Sequence, residues 1–200
     1  MEHKKTDGSL LIISRYELDC QTYHSKGGKV TWENCTLRSW LNNQFISSAF
    51  TSSEKSKIQV TSVINEANGN VSGGKTTQDS VFLLSISEAK KYFKNDNDEA
   101  GKLFGYSSAR SSKPTSYAKA RGCVAFEWNP SNYEDSDLKD WDGSRFDGCC
   151  GWWLRSPGRD NGYAAVVDVF GEVFEDGSTV GGTGNGFEKG SVRPAMWIKP

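Results

Sequence analysis

Gly151-Trp152-Trp153-Leu154-Arg155-Ser156-Pro157-Gly158 and Ser191-Val192-Arg193-Pro194-Ala195-Met196-Trp197-Ile198 are two apolar blocks that enclose a polar, Gly-rich segment. Aromatic side chains bury large areas and fix packing, whereas Gly, Asn, Asp and Ser occupy turns and exposed loops. The contrast predicts a rigid scaffold that displays a tolerant surface, a layout suited to recognition more than to chemistry. In a strand Trp152 and Trp153 point to opposite faces, sending one into the core and the other beneath the displayed loops. Arg155 and Arg193 are placed to satisfy buried carbonyls or to pair with a carboxylate near the strand ends. With Trp40 and Trp197 they make up the expected structural set.

Working outward, Ala164 to Phe170 and Glu172 to Phe174 are β-prone runs around Gly171, followed by a Gly-rich loop and a last strand through Val192 to Ile198. Upstream, residues 127–148 carry seven carboxylates (Glu127, Glu134, Asp135, Asp137, Asp140, Asp142, Asp147) against Lys139 and Arg145, with Trp128 and Trp141 interspersed. This reads as an acidic surface insertion. Ser9 to Ser14 has strand length, and Thr36 to Phe50 places Leu37, Trp40, Leu41 and Phe45 at helical spacing. Thr51 with Glu54 fits a capping box before a short helix, and Lys57 to Ile64 alternates as a strand. Asp79 to Leu84 reads as another strand. Ser85 with Glu88 then opens a helix carrying Ala89, Tyr92 and Phe93 and ending in charge over Lys94 to Glu99. Helices come early and strands late, an α+β order without internal repeats.

Two hundred residues with 36% hydrophobic and 12% aromatic content support one core, so residues 1–200 read as a single domain. A net charge of -1, from 24 basic and 25 acidic side chains, supplies no field for nucleic acid. The longest strongly apolar run, Val81 to Ile86, is too short to enter and span a bilayer, and no signal-type stretch follows Met1 to Lys5. Five cysteines (Cys20, Cys35, Cys123, Cys149, Cys150) are odd in number and argue against a disulfide framework. That is compatible with a reducing cytoplasm or with export as part of a larger assembly.

Gly69-Asn70-Val71-Ser72-Gly73-Gly74-Lys75-Thr76 satisfies the phosphate-loop pattern. Its context rejects that reading, because Lys75 leads toward a strand rather than opening a helix. Only His3 and His24 exist, so a histidine-assisted nucleophile would have to borrow His24 from a distant loop. No usual zinc spacing occurs, and Asp137, Asp140 and Asp142 lack the register of a helix-loop-helix calcium site. Nothing basic flanks Cys149-Cys150 to activate a thiolate, which favours packing beside Trp152 over redox or copper chemistry. The expectation is no catalytic residue, no metal and no cofactor.

Four stretches together resemble the DUF6273 family, in order and over nearly the whole chain: Thr31-Trp32-Glu33-Asn34-Cys35-Thr36-Leu37-Arg38-Ser39-Trp40-Leu41-Asn42, Val81-Phe82-Leu83-Leu84-Ser85, Trp152-Trp153-Leu154-Arg155-Ser156-Pro157 and Val192-Arg193-Pro194-Ala195. The resemblance implies a C-type-lectin-like fold, related to that of formylglycine-generating enzymes, with two to three helices, small antiparallel sheets and long ligand-facing loops. It also implies a link to variable proteins of diversity-generating retroelements, bacterial or phage, in which adenine-directed mutagenesis rewrites exposed codons near the C-terminus. On that basis residues 157–191 form a display segment. Its candidate ligand-binding positions are Arg159, Asp160, Asn161, Tyr163, Asp168, Phe170, Phe174, Asp176, Ser178, Thr179, Asn185 and Phe187. Each is asparagine or is reachable from an asparagine codon by changing its first two bases. Glu172, Glu175, Glu188 and Lys189 fit that route only if their third codon base is a purine. Family domains often carry a further strand before Asp7-Gly8-Ser9-Leu10, where only Met1 to Thr6 stand here, so the expectation is a trimmed or late-starting domain.

The expected function is therefore a non-enzymatic recognition domain for a protein or glycan ligand, since Tyr and Phe give rigid contact area while Asn, Asp, Ser and Arg adapt their hydrogen bonds. The competing expectations are a calcium-dependent carbohydrate-binding domain, although no Glu-Pro-Asn type motif is present, and a cysteine and copper enzyme of the formylglycine-generating type.

Overall fold

The computed structural model describes residues 3–93, 106–132, 142–181 and 190–200. The Trp152–Pro157 block is a strand, β7, at the middle of a five-stranded sheet ordered β3-β10-β7-β8-β9. Its neighbours are β3 (Asp19–Gln21), β8 (Tyr163–Val167), β9 (Val173–Thr179) and β10 (Gly190–Val192). All six residues of β7 are buried, which is why the sequence there runs apolar without alternating. Both Trp152 and Trp153 are fully buried. Their indole N–H groups donate to Arg110 O at 3.1 Å and Gln21 O at 2.9 Å.

A second sheet, ordered β1-β2-β11-β4, joins His3–Lys4, Leu10–Ile13, Ala195–Ile198 and Ile58–Gln59. The strand β1 pairs His3 with Leu11 and Lys4 with Leu10, so a short strand does precede Asp7. A third, two-stranded sheet pairs β5 (Thr61–Val63) with β6 (Thr77–Asp79). Two expectations are corrected here. The last strand is broken at Arg193-Pro194, so Val192 ends a strand of the five-stranded sheet and Ala195 begins one of the four-stranded sheet. The five-stranded sheet is mixed rather than antiparallel, because β10 meets β7 in parallel through Ser191 and Trp152.

The described residues contain five short α segments where two to three helices were expected. The first amphipathic helix accounts for part of the difference: it divides into α1 (Thr36–Trp40), a π turn at Leu41–Phe45 and α2 (Ile46–Ala49). Leu37, Leu41 and Phe45 face the core. Helices α3 (Ser52–Lys55) and α4 (Ile86–Tyr92) start at the capping boxes read from Thr51/Glu54 and Ser85/Glu88. Helix α5 (Ser116–Ala120), capped by Thr115, was not anticipated. No helix among the described residues is long and apolar enough to cross a membrane.

Asp79 explains why the expected strand Asp79 to Leu84 is displaced. Only 1% exposed, it accepts from Trp32 Nε1 at 3.0 Å, Arg38 Nε at 2.6 Å and Thr77 Oγ1 at 2.7 Å. Asn42, inside the π turn, donates to Val81 O at 2.8 Å and accepts from Ser80 N at 2.8 Å and Val81 N at 3.1 Å. The strand therefore ends at Asp79, because side chains from the first helix take the next backbone groups. Beyond it, Phe82 makes a single bridge to Ala195. The same pattern of charge meeting backbone recurs at Arg193, whose guanidinium donates to Ser14 O and Arg110 O at 2.8 and 3.1 Å. Removing the shared acceptor with Asp79→Ala strands a buried indole N–H and a guanidinium, and urea unfolding should show a loss of about 3 kcal/mol. Asn70→Ala, on the exposed loop, should stay within about 0.5 kcal/mol of the parent.

Candidate functional site

β9 is the outer strand of the five-stranded sheet, and its pairing with β8 is interrupted. Val166 faces Phe174, whereas Ala164 faces Ser178, so Glu175, Asp176 and Gly177 bulge from the ladder opposite Ala165. Gly177 adopts φ +75, and a Cβ there would lie 2.1 Å from Ala164 O. The bulge is clamped from outside. Asn68 Nδ2 donates to both Glu175 O (3.0 Å) and Pro157 O (3.1 Å), and Arg159 N donates to Asp176 O at 2.9 Å. Its backbone is thus fixed while Phe174 (48% exposed), Glu175 and Asp176 face solvent. Glu175 pairs with Lys90 of α4.

The turn after β7 lies alongside. Arg159 and Asp160 are exposed, and the Arg159 guanidinium lies 4.0 Å over the Tyr163 ring and bonds its hydroxyl. Asp160 Oδ1 accepts from Gly162 N at 2.6 Å, and Asn161 Nδ2 donates to Ser72 O at 3.1 Å. Ser178 and Thr179 are half-buried on β9. The close approaches of Gly158 and Arg159 to Asp176 O bring this turn and the bulge together.

Two candidates belong elsewhere. Asp168 Oδ1 accepts from Phe170 N at 2.9 Å and Glu172 N at 2.8 Å, closing the β8–β9 hairpin, and burial raises its pKa to about 6. Phe170 packs against Tyr106, Phe126 and Phe146 at ring separations of 4.9, 5.0 and 5.6 Å. This turn also separates the expected runs: β8 stops at Val167 and β9 starts at Val173. Asn185 and Phe187 lie outside the described residues, as do Glu134, Asp135, Asp137, Asp140 and Trp141 of the acidic stretch. The remaining aspartates there cap turns, Asp142 accepting from Ser144 N and Asp147 from Trp128 N, each at 2.9 Å. Among the described residues no group of three or more His, Cys, Asp or Glu side chains is arranged to hold a metal.

A cavity of about 290 Å³ was not foreseen from the sequence. Ser62, Glu66, Ser87, Lys91 and Tyr92 line it, above Phe82, Arg155 and Trp197. None of the described candidate ligand-binding residues borders it. Its walls come from β5, α4, β7 and β11, and no local motif links those segments. At this volume it suits only a small ligand.

Buried acid and thiol groups gather beside β3 and β10, across the sheet from β9. Glu17 is fully buried, and among the described residues neither carboxylate oxygen has a hydrogen-bond partner, although Ser191, Cys150, Cys123 and Arg193 surround it. Burial, reinforced by Cys123 and opposed by Ser191 and Arg193, raises its pKa to about 9. Folding therefore retains a proton that the unfolded chain releases at its ordinary value of 4.5. The resulting stability is complete below that value and is lost as pH rises toward about 9. Glu17→Gln, neutral throughout, should flatten the fall in stability between pH 5 and pH 9 in urea titrations and leave the variant more stable than the parent at the alkaline end.

The family model for a domain of unknown function, DUF6273, matches residues 7–200 and so takes in both apolar blocks, the Asp79 network and the display edge. No curated protein and no solved structure matches the chain. The chain belongs to the DUF6273 family.

Proposed function

We propose that this chain is a non-enzymatic ligand-recognition domain of the C-type-lectin-like kind, which presents the β9 bulge and the turn after β7 to a protein or glycan target. The observation that carries the reading is the clamp on the bulge. Asn68 and the Arg159 N–H hold its carbonyls, so the bulge backbone is fixed without the side chains of Phe174 and Asp176, and Glu175 adds only an exposed ion pair with Lys90. Such positions can be exchanged at little cost to the fold. Arg159, Tyr163, Phe174 and Asp176 combine rigid aromatic area with adaptable polar groups, as binding loops do.

A diversity-generating retroelement would exploit this separation, since residues reachable from asparagine codons gather at the outer strand and its adjoining turn. Sequencing the coding region across a natural population tests the reading. Adenine-directed substitutions should concentrate in the codons for 159–161, 163, 174, 176, 178 and 179, while those for 152–157, 177 and 191–198 stay fixed. Substitution spread evenly over the chain would overturn it, and silence throughout would remove the retroelement link. In a chain with an identified target, Phe174→Ala with Asp176→Ala should weaken binding by at least about tenfold, the loss of one or two interface anchors, without lowering the melting temperature.

A further inference from the structure

Three cysteines far apart in sequence meet beside β3 and β10, at the edge of the five-stranded sheet opposite β9. Cys20 is on β3, Cys123 follows α5 and Cys150 precedes β7, and they pack together with Ala118 and Ala125. Cys123 Sγ lies 3.1 Å from Ser191 Oγ and 3.6 Å from Asp19 O. Cys150 Sγ donates to Val124 O at 3.0 Å, which brings it to the residue next to Cys123. Cys20 is instead fixed by the β3–β10 ladder, opposite Ser191. Glu17 faces the same group of side chains, and neither of its oxygens has a hydrogen-bond partner among the described residues.

We propose that Cys123 and Cys150 form a reversible disulfide when exposed to a small-molecule disulfide, tying the loop after α5 to the entrance of β7. Cys123 is the point of entry. It is 9% exposed, against 1% for both Cys20 and Cys150, and it sits between Gly122 at φ +106 and Val124 at 79% exposure. Residues 123–129 have no regular secondary structure, so local opening costs less there than in the sheet. The neighbouring Cys150 and Cys20 thiols hold the Cys123 thiol below its usual range, while the contact with Cys123 and burial push Cys150 up.

Cys123 Sγ, as thiolate, attacks one sulfur of glutathione disulfide, forming a mixed disulfide and expelling one glutathione thiolate. Cys150 Sγ–H then gives its proton to that leaving thiolate, attacks Cys123 Sγ and expels the second glutathione thiolate. Two protein thiols are oxidised and one glutathione disulfide is reduced to two thiols. Only the Cys123–Cys150 bond is new to the protein.

The folded full-length chain is incubated with glutathione disulfide at pH 8, its remaining thiols are alkylated under denaturing conditions, and tryptic peptides are analysed by mass spectrometry. The expected product links the peptide containing Cys123 to the peptide carrying Cys149 and Cys150, and fragmentation assigns the bond to Cys150. The melting temperature should rise by roughly 5 °C and return on reduction. Cys149→Ser should form the link as the parent does, and Cys150→Ser, checked for folding by circular dichroism, should stop at a Cys123–glutathione adduct. Five alkylated cysteines, a link from Cys20 to Cys123, a link through Cys149, or a stable Cys123–glutathione adduct in the parent chain would each overturn the proposal. None of these outcomes bears on the ligand-recognition reading, which involves other residues.

Discussion

A buried guanidinium needs its charge met, and the contacts of the two terminal nitrogens of Arg155 follow from that requirement, while its Nε finds no partner among the described residues. Arg155 lies in the central strand β7 at 4% exposure. Its Nη1 donates to Leu83 O at 2.8 Å and to the Glu88 carboxylate, and its Nη2 donates to Ile64 O at 3.1 Å. These bonds join β7 to the buried Val81–Leu84 run, to the end of β5 and to the start of α4. The Glu88 oxygen that meets Arg155 also accepts from Ser85 N at 3.0 Å, so one carboxylate both caps α4 and neutralises the core charge. From α4 the path continues through Lys90 to Glu175 on the bulge.

That chain of contacts divides the molecule into a frame and an edge. In the frame, backbone and buried side chains satisfy one another: Asp79 gathers Trp32, Arg38 and Thr77, Asn42 occupies the groups after β6, and Arg193 spans the break between the two larger sheets. Along the edge, backbone groups are satisfied by the frame, and the side chains remain available to solvent. Gly158 and Gly177 are where the two meet, since a Cβ at either would press into the backbone of the opposing segment at 2.3 and 2.1 Å. The conformation of the edge is thus dictated by glycines and by Asn68, rather than by the residues that face outward.

The parts of this fold that were legible in the sequence are the local ones. Both capping boxes, the apolar face of the first helix and the buried block at 152–157 follow from spacing and composition within a few residues. The location of a polar surface between two apolar blocks was legible as well. Tertiary partners were not. Asp168 reads as an exposed loop residue until the hairpin turns its carboxylate onto Phe170 N and Glu172 N. Phe170 reads as a displayed aromatic until Tyr106, Phe126 and Phe146 arrive from elsewhere. Pro194 is a local signal for the break that the reading of one strand through Val192 to Ile198 passed over, and which sheet each half joins depends on pairing with residues 19–21 and 10–13. The meeting of Cys20, Cys123 and Cys150 has no local signature at all.

The division between frame and edge is tested most directly by saturating positions 152–181 with every amino acid and sorting the displayed library by resistance to protease. The account predicts that Arg159, Asp160, Phe174, Glu175 and Asp176 accept most residues, while Arg155, Gly158, Asp168 and Gly177 accept almost none. Comparable intolerance at 159, 160 and 174–176 would contradict it, because the surface offered to a ligand would then be part of what holds the fold together.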